Sequence, residues 1–170
     1  MRTLHGGKTE GRQHPMRVGV LFCLENAKRD SRPRLDGRRR AAVRFFVLTN
    51  NPMVLDECAS EADIVFDPVS IRGIFEEAAS YVSQGHRLLT HPLSGSVKPG
   101  ETPYKSMLVA SEVSSEMDFA SARLASEALF ACDKFADKTS LYDERTLHDL
   151  QLVDFSLIQG ALRSARNESS

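Results

Sequence analysis

A chain of 170 residues that is 41% hydrophobic and 26% charged has the composition of a soluble globular protein, with length enough for one core. It holds no run of eighteen apolar residues, which excludes a membrane-spanning helix, and its three cysteines (Cys23, Cys58, Cys132) are too few and too unevenly spaced for a disulfide framework or a cysteine metal cluster. The net charge of −1 conceals a division: residues 1–42 carry eleven of the 22 Lys/Arg and four of the 23 Asp/Glu, a surplus of seven positive charges, which leaves the remainder at −8. An acidic body repels phosphate backbones, so no nucleic-acid partner is expected beyond what the basic arm alone would hold. The first residues show no secretory leader pattern, and an odd cysteine count suits a reducing compartment, so a cytoplasmic location is expected.

Residues 1–42 lack a sustained period of either kind and contain the run Arg38-Arg39-Arg40. They read as a disordered basic extension or as an electrostatic tether for RNA, DNA or an acidic partner. The next residues, VRFFVLT (43–49), form a β-branched and aromatic run that predicts a buried strand, stopped by Asn50-Asn51-Pro52. Asparagine at an N-cap with proline at the first helical position predicts a short helix, whose apolar side is Met53, Val54, Leu55 and Cys58. A second strand is expected over 63–66, ending at Asp67-Pro68. Ser70 can cap the next helix, in which Ile71, Ile74, Phe75, Ala78 and Val82 fall at helical spacing, and Gly85 suits its left-handed C′ position.

A third strand is expected over 86–90 and a fourth over 106–110. Ser115 and Asp118 stand at capping-box spacing for a helix reaching about Ala136, with Met117, Ala120, Leu124, Ala128, Ala131 and Phe135 inward. After a polar linker over 137–145, Thr146 can cap a last helix whose stripe is Leu147, Leu150, Val153, Leu157, Ile158 and Ala161. The pattern predicts a single layered α/β domain over 43–165, with a small, at least partly parallel sheet of about four strands, flanking helices and a polar tail at 166–170. If the first three strands are parallel, Thr49-Asn50-Asn51, Asp67-Pro68 and Thr90-His91-Pro92 share one sheet edge, where ligands of open α/β sheets bind.

The stretch LLTHPLSGSVKPGETPYKS (88–106) concentrates the polar chemistry of the chain. Pro92, Pro99 and Pro103 restrain it, while Gly95 and Gly100 permit tight bends. Ser94-Gly95-Ser96 with Lys98 can cradle a small anion, a carboxylate or a phosphate, through inward N–H groups and one positive charge. The same residues also read as a serine-rich turn satisfying its own backbone. His91 can act as a general base or donate to a ligand, or it can simply orient the loop. Tyr104 and Lys105 either complete the site or pack a ring beneath the loop with the lysine solvated. The expected ligand-binding set is therefore Thr49, Asn50, Asn51, Thr90, His91, Ser94, Gly95, Ser96, Lys98, Tyr104 and Lys105. The Walker spacing is absent, His86 and His91 lack a third metal ligand, and no cofactor or metal is expected. Cys58 and Cys132 fall within helix patterns and are expected to be buried, which argues against thiol catalysis.

Three segments, VRFFVLTNNP (43–52), GHRLLTHPLSGSVKPGETPYKS (85–106) and DLQLVDFSLI (149–158), together resemble the GrdX family, small proteins encoded beside the glycine, sarcosine and betaine reductase systems of amino-acid-fermenting bacteria. The resemblance covers roughly 43–162 and carries over no catalytic role. It implies a cytoplasmic accessory to a selenium-dependent reductase pathway, with a reductase component as a partner, or glycine, betaine or acetyl phosphate as the small anionic ligand. The family pattern opens at the first strand, with Val43 where its initiator methionine stands, so residues 1–42 are expected to be a start-site artefact or a dispensable extension. Two classes of function follow. The preferred one is a binding or accessory module without turnover; the other is a small enzyme acting on a phosphorylated or carboxylate metabolite, with His91 as general base and Lys98 or Lys105 as its electrostatic partner.

Overall fold

The computed structural model describes residues 44–95 and 97–167. The basic extension, Val43, Ser96 and residues 168–170, with the expectations placed on them, lie outside the described residues. Three strands form the sheet: β1 (Phe45–Thr49), β2 (Asp63–Phe66) and β3 (Ser106–Ala110), in the order β2-β1-β3. The β1–β2 pair is parallel, with Thr49 opposite Phe66, whereas β3 runs antiparallel to β1, with Thr49 opposite Ser106. The expected third strand is instead a single antiparallel bridge, Leu88 to Val109. Its pairing ends there because side chains take over from backbone: Thr90 Oγ1 accepts from Leu108 N (3.0 Å), and Leu88 N donates to Ser121 Oγ (2.9 Å) rather than to another strand. The segment nevertheless runs in the direction of β1 and β2, since it opposes β3. Thr49, Phe66, Thr90 and Ser106 consequently meet at one edge.

Helices cover both faces of this sheet. Strand alternation sends Phe46, Leu48, Met107 and Val109 to one side, against α2 (Ile71–Ser83) and α3 (Phe119–Lys134), with Ile74, Phe75, Ala78 and Ala128 opposite them. The other side takes Val47 and Leu108 against α1 (Pro52–Cys58) and α4 (Glu144–Asn167), through Val54, Cys58, Ile158 and Leu162. Each large apolar side chain buried in these layers contributes about 1.5–3 kcal/mol relative to exposure. The same parity places Thr49 and Ser106 on the α4 side, and this decides what they can bond.

The helix ends follow local chemistry. Asn51 caps α1 through Met53 N (3.0 Å) with Pro52 at the first turn, and Ser70 caps α2 through Gly73 N (3.2 Å). Beyond α2, Gly85 at φ 97° lets its own N–H reach Val82 O (3.0 Å) and His86 N reach Tyr81 O (3.1 Å), the paired closure of a left-handed C′ residue. A Cβ there would stand 2.2 Å from Ser114 O.

Two helices depart from the sequence reading. α3 starts later than expected, because Asp118 rather than Ser115 is its cap, accepting from Ser121 N (3.1 Å). Its buried positions are Ser121, Ala125 and Ala128, small residues that let α3 approach α2, while Met117, Ala120 and Phe135 are exposed. α4 is capped by Asp143, which accepts from Thr146 N (2.8 Å), and not by Thr146. Its buried line is Asp154, Ile158 and Leu162: Ile158 is inward as expected, whereas Asp154 and Leu162 replace Val153 and Leu157, which stand at the rim. A short 3-10 turn, Thr139–Leu141, interrupts the linker that joins the two helices.

Candidate functional site

The sheet edge is closed by side chains that the strand ends and two loops bring together. Thr49, Asn50, Asn51, Lys105, Ser106 and Asp154 are all buried polar groups, a concentration that needs partners for each. Asn50 uses both amide hydrogens, on Val69 O (2.8 Å) and Pro103 O (2.7 Å), and its Oδ1 accepts from Lys105 N (2.8 Å). It therefore ties the β2–α2 loop and the end of the polar stretch to β1. Asn51 Nδ2 donates to Gln151 O and to Asp154 Oδ2, each at 3.0 Å, while its Oδ1 caps α1. Thr49 Oγ1 lies 2.6 Å from Ser106 Oγ and accepts from Asn51 N at 2.9 Å.

Asp154 is the residue that sequence reasoning missed, and the network converges on it. Its Oδ1 accepts from Ser106 N (2.9 Å), and its Oδ2 from Ser106 Oγ (2.7 Å) and Asn51 Nδ2 (3.0 Å). Three donors hold this carboxylate against the mouth of the sheet, joining α4 to β1, α1 and β3. An acid four and eight residues before Ile158 and Leu162 on one helix line was the available signal, since that position is inward on α4.

Lys105 stands beside it. The side chain is only 7% exposed, and Nζ donates to Ser94 O at 2.8 Å. Burial pushes its ammonium down from the ordinary lysine value, opposed by the negative charge of Asp154 nearby. Its bond is to Ser94 O and not to Asp154, so among the described residues this desolvated charge has one acceptor, with Asp154 acting on it at longer range.

A narrow cleft opens over these two charges. The polar loop forms one wall with Leu93, Ser94 and Gly95, α2 another with Ile71 and Phe75, and α4 the third with Val153, Asp154 and Leu157, while Tyr104 and Lys105 line it from below. Its volume of about 30 Å³ holds a water or two, or one small polar group. Tyr104 Oη accepts from Gln151 Nε2 (3.0 Å), which keeps the phenol in place. Gly95, at φ 105°, lies so close to α4 that a Cβ would stand 2.8 Å from Leu157 Cδ1.

The expected set therefore divides. Ser94, Gly95, Tyr104 and Lys105 line the cleft, Lys105 as a buried rather than a solvated cation. Thr49, Asn50 and Asn51 lie under the sheet edge with their side-chain donors committed within the chain, and Thr90 holds β3 through Leu108 N. His91 is exposed and outside the cleft; its Nδ1 accepts from Leu93 N (3.0 Å), which shapes the turn. Lys98 is also exposed, with Nζ 5.5 Å from the centre of the Phe135 ring. Ser96 lies outside the described residues.

Among the described residues, no group of three or more His, Cys, Asp or Glu is placed to hold a metal ion. Cys58 is buried as expected, whereas Cys132 is only half-buried because it stands at the edge of its helix contact; desolvation pushes both thiols up, and nearby carboxylates add to this, the opposite of what a nucleophilic thiolate needs. His86 is a packing residue, with Nδ1 2.8 Å from Ala110 O and its ring edge-on to Phe46 and Tyr81. No helix among the described residues is long and apolar enough to cross a membrane.

Such an architecture defines a small α/β protein with helices on both faces of a mixed sheet, a buried polar lock at one sheet edge and a loop-roofed cleft above it. Residues 46–163 match the family model for GrdX-like protein, and the chain belongs to that family. Comparison with the curated proteins and with the solved structures gave no match.

Proposed function

We propose that this chain is a cytoplasmic accessory protein of a glycine-reductase-type system, and that it recognises a small anionic metabolite in the cleft beneath the loop 90–106. The observation that carries this reading is Lys105: a buried amine lining a cleft, with Ser94 O as its one acceptor among the described residues. A carboxylate or phosphate oxygen beside Nζ would return the solvation that burial removes, and the fixed amine would cost little further ordering. Asp154 does not cancel this attraction at contact range, because its oxygens are taken up by Ser106 and Asn51. The cleft admits one such group and excludes bulky ligands, which fits glycine, acetate or the acyl phosphate end of acetyl phosphate better than a nucleotide. An enzyme built on His91 gains nothing from this arrangement, since that ring stands outside the cleft with Nδ1 engaged.

Thermal shift tests the reading directly. The full chain is melted against phosphate, acetate, acetyl phosphate, glycine and betaine. A ligand at about a hundred times its Kd adds roughly 2.7 kcal/mol and moves Tm by several degrees. The shift is expected to vanish in Lys105→Met and to persist in Lys98→Ala. No shift with any of these compounds overturns the small-ligand reading and turns attention to a reductase component, tested by pull-down.

A further inference from the structure

We propose that Lys105 is a carbonyl-trapping amine, which forms a reversible imine with a small aldehyde or 2-oxo acid admitted to the cleft. The proposal rests on the cleft reading above and adds to it a covalent bond and a ligand class. Among the described residues, Lys105 is the one amine that lines the cleft and Asp154 the one carboxylate. One N–H of Nζ is held by Ser94 O, which fixes the direction of the amine and leaves its lone pair for an electrophile. Burial lowers the pKa of this amine, so a larger share of it is neutral at a given pH than for a solvated lysine, which favours attack on a carbonyl.

The surroundings suit the steps. Nζ attacks the carbonyl carbon, a C–N bond forms, and the carbonyl oxygen becomes a hydroxyl. That hydroxyl takes a proton from Tyr104 and leaves as water, giving a cationic iminium whose N–H proton then returns to the Tyr104 oxygen; the net change is the neutral imine and water carrying the two amine hydrogens, so neither oxidant nor reductant is required. The Tyr104 hydroxyl accepts from Gln151 Nε2 and so has its own hydrogen to give to the departing oxygen. Asp154, pinned by three donors, offers fixed negative charge to the cationic iminium without being placed to bond Nζ itself. The small volume, with the apolar side chains of Leu93, Val153 and Leu157 lining it, limits the guest to a small one, of which glyoxylate is the test case.

The test is regioselective trapping in the native full chain. Glyoxylate is added with cyanoborohydride near neutral pH, and reduced adducts are located by peptide mass mapping over time. Lys105 should be labelled at least about threefold faster than the exposed Lys98, Lys134 and Lys138, because a larger share of it is free amine, a gain that the lower nucleophilicity of a weaker base offsets only in part. Lys105→Arg keeps a cation in the cleft but cannot form the imine, so labelling at this position should disappear while the melting curve is retained. Labelling of Lys105 no faster than of the exposed lysines overturns the proposal, and needs no variant to read. Acetate separates this failure from failure of the parent reading, because it has a carboxylate but no trappable carbonyl. A Tm shift with acetate and no Lys105 adduct leaves anion binding intact and removes the imine; an adduct without an acetate shift does the reverse.

Discussion

The lock beneath the sheet edge and the crest of the loop above it contain the same kinds of residue, yet the fold uses them in opposite ways. Below, Asn50, Asn51, Ser106 and Asp154 are buried, and every side-chain donor that they present has a partner within the chain. Above, His91, Ser94 and Lys98 are exposed and make few bonds. The contrast teaches that polar residues clustered in sequence do not act as one site. Depth divides them, and the depth of each is set by strand parity and helix phase. Lys105 lies at the boundary, built like the lower group but open to the cleft.

Removing Asp154 should break the comparison most severely. Asp154→Ala strands Ser106 N and Asn51 Nδ2 in a buried setting and detaches α4 from the sheet edge, a loss of about 3–5 kcal/mol. Urea unfolding at neutral pH measures it. A loss below about 1 kcal/mol would show that water reaches the lock and that the two regions differ less than their burial indicates. Asn50→Ala comes next. It removes the acceptor of Lys105 N and the two donors that hold Val69 O and Pro103 O, at about 2–3 kcal/mol. Because Asn50 ties two loops, hydrogen exchange in this variant should quicken over 67–70 and 102–105 before it quickens in β1.

Much of the lower region was legible in the sequence, and the part that was not has a physical explanation. Asn51-Pro52, Ser70 and Gly85 announced helix ends whose chemistry is local, and all three act as read. Helix phase is not local. Val153 and Leu157 drew the stripe of α4 toward themselves as large apolar residues, but the fold spends them on the cleft wall and turns Asp154 inward. In α3 the same error arose from Met117 and Phe135, whereas the buried line is Ser121, Ala125 and Ala128, where small side chains permit close helix packing. A polar residue on an apolar line reads as surface until a strand end is known to offer it donors. Ser106 and Asn51 offer them, Ser106 through its strand parity and through the antiparallel register that sets it opposite Thr49 at the sheet edge. That register required β3 to be antiparallel, which its five residues alone do not state.

Lys105→Met sharpens the boundary case through its pH dependence. A buried lysine with a lowered folded pKa binds fewer protons folded than unfolded between that pKa and the unfolded value near 10.4, so stability rises with pH across the interval. Below the interval the ammonium is present in both states and its desolvation opposes folding in full. The methionine variant should therefore lie within about 1 kcal/mol of the parent at pH 7, and its stability should lack the alkaline rise. Denaturant midpoints between pH 7 and 10 decide it. A parallel alkaline profile in both proteins would assign the rise to another group.

The smallest effects belong to the crest. Lys98→Ala removes an exposed cation 5.5 Å from the Phe135 ring, an interaction of about 0.5–1 kcal/mol at such a site. His91→Ala removes the acceptor of Leu93 N, which solvent can replace because the bond is exposed, so the loss again stays under about 1 kcal/mol. These two substitutions are informative because stability barely registers them. If the cleft is the binding site, both variants should retain the ligand-induced Tm shift, since neither side chain lines it. Loss of that shift in a fully folded His91→Ala or Lys98→Ala protein would move the site outward to the crest and leave Lys105 as a buried structural cation.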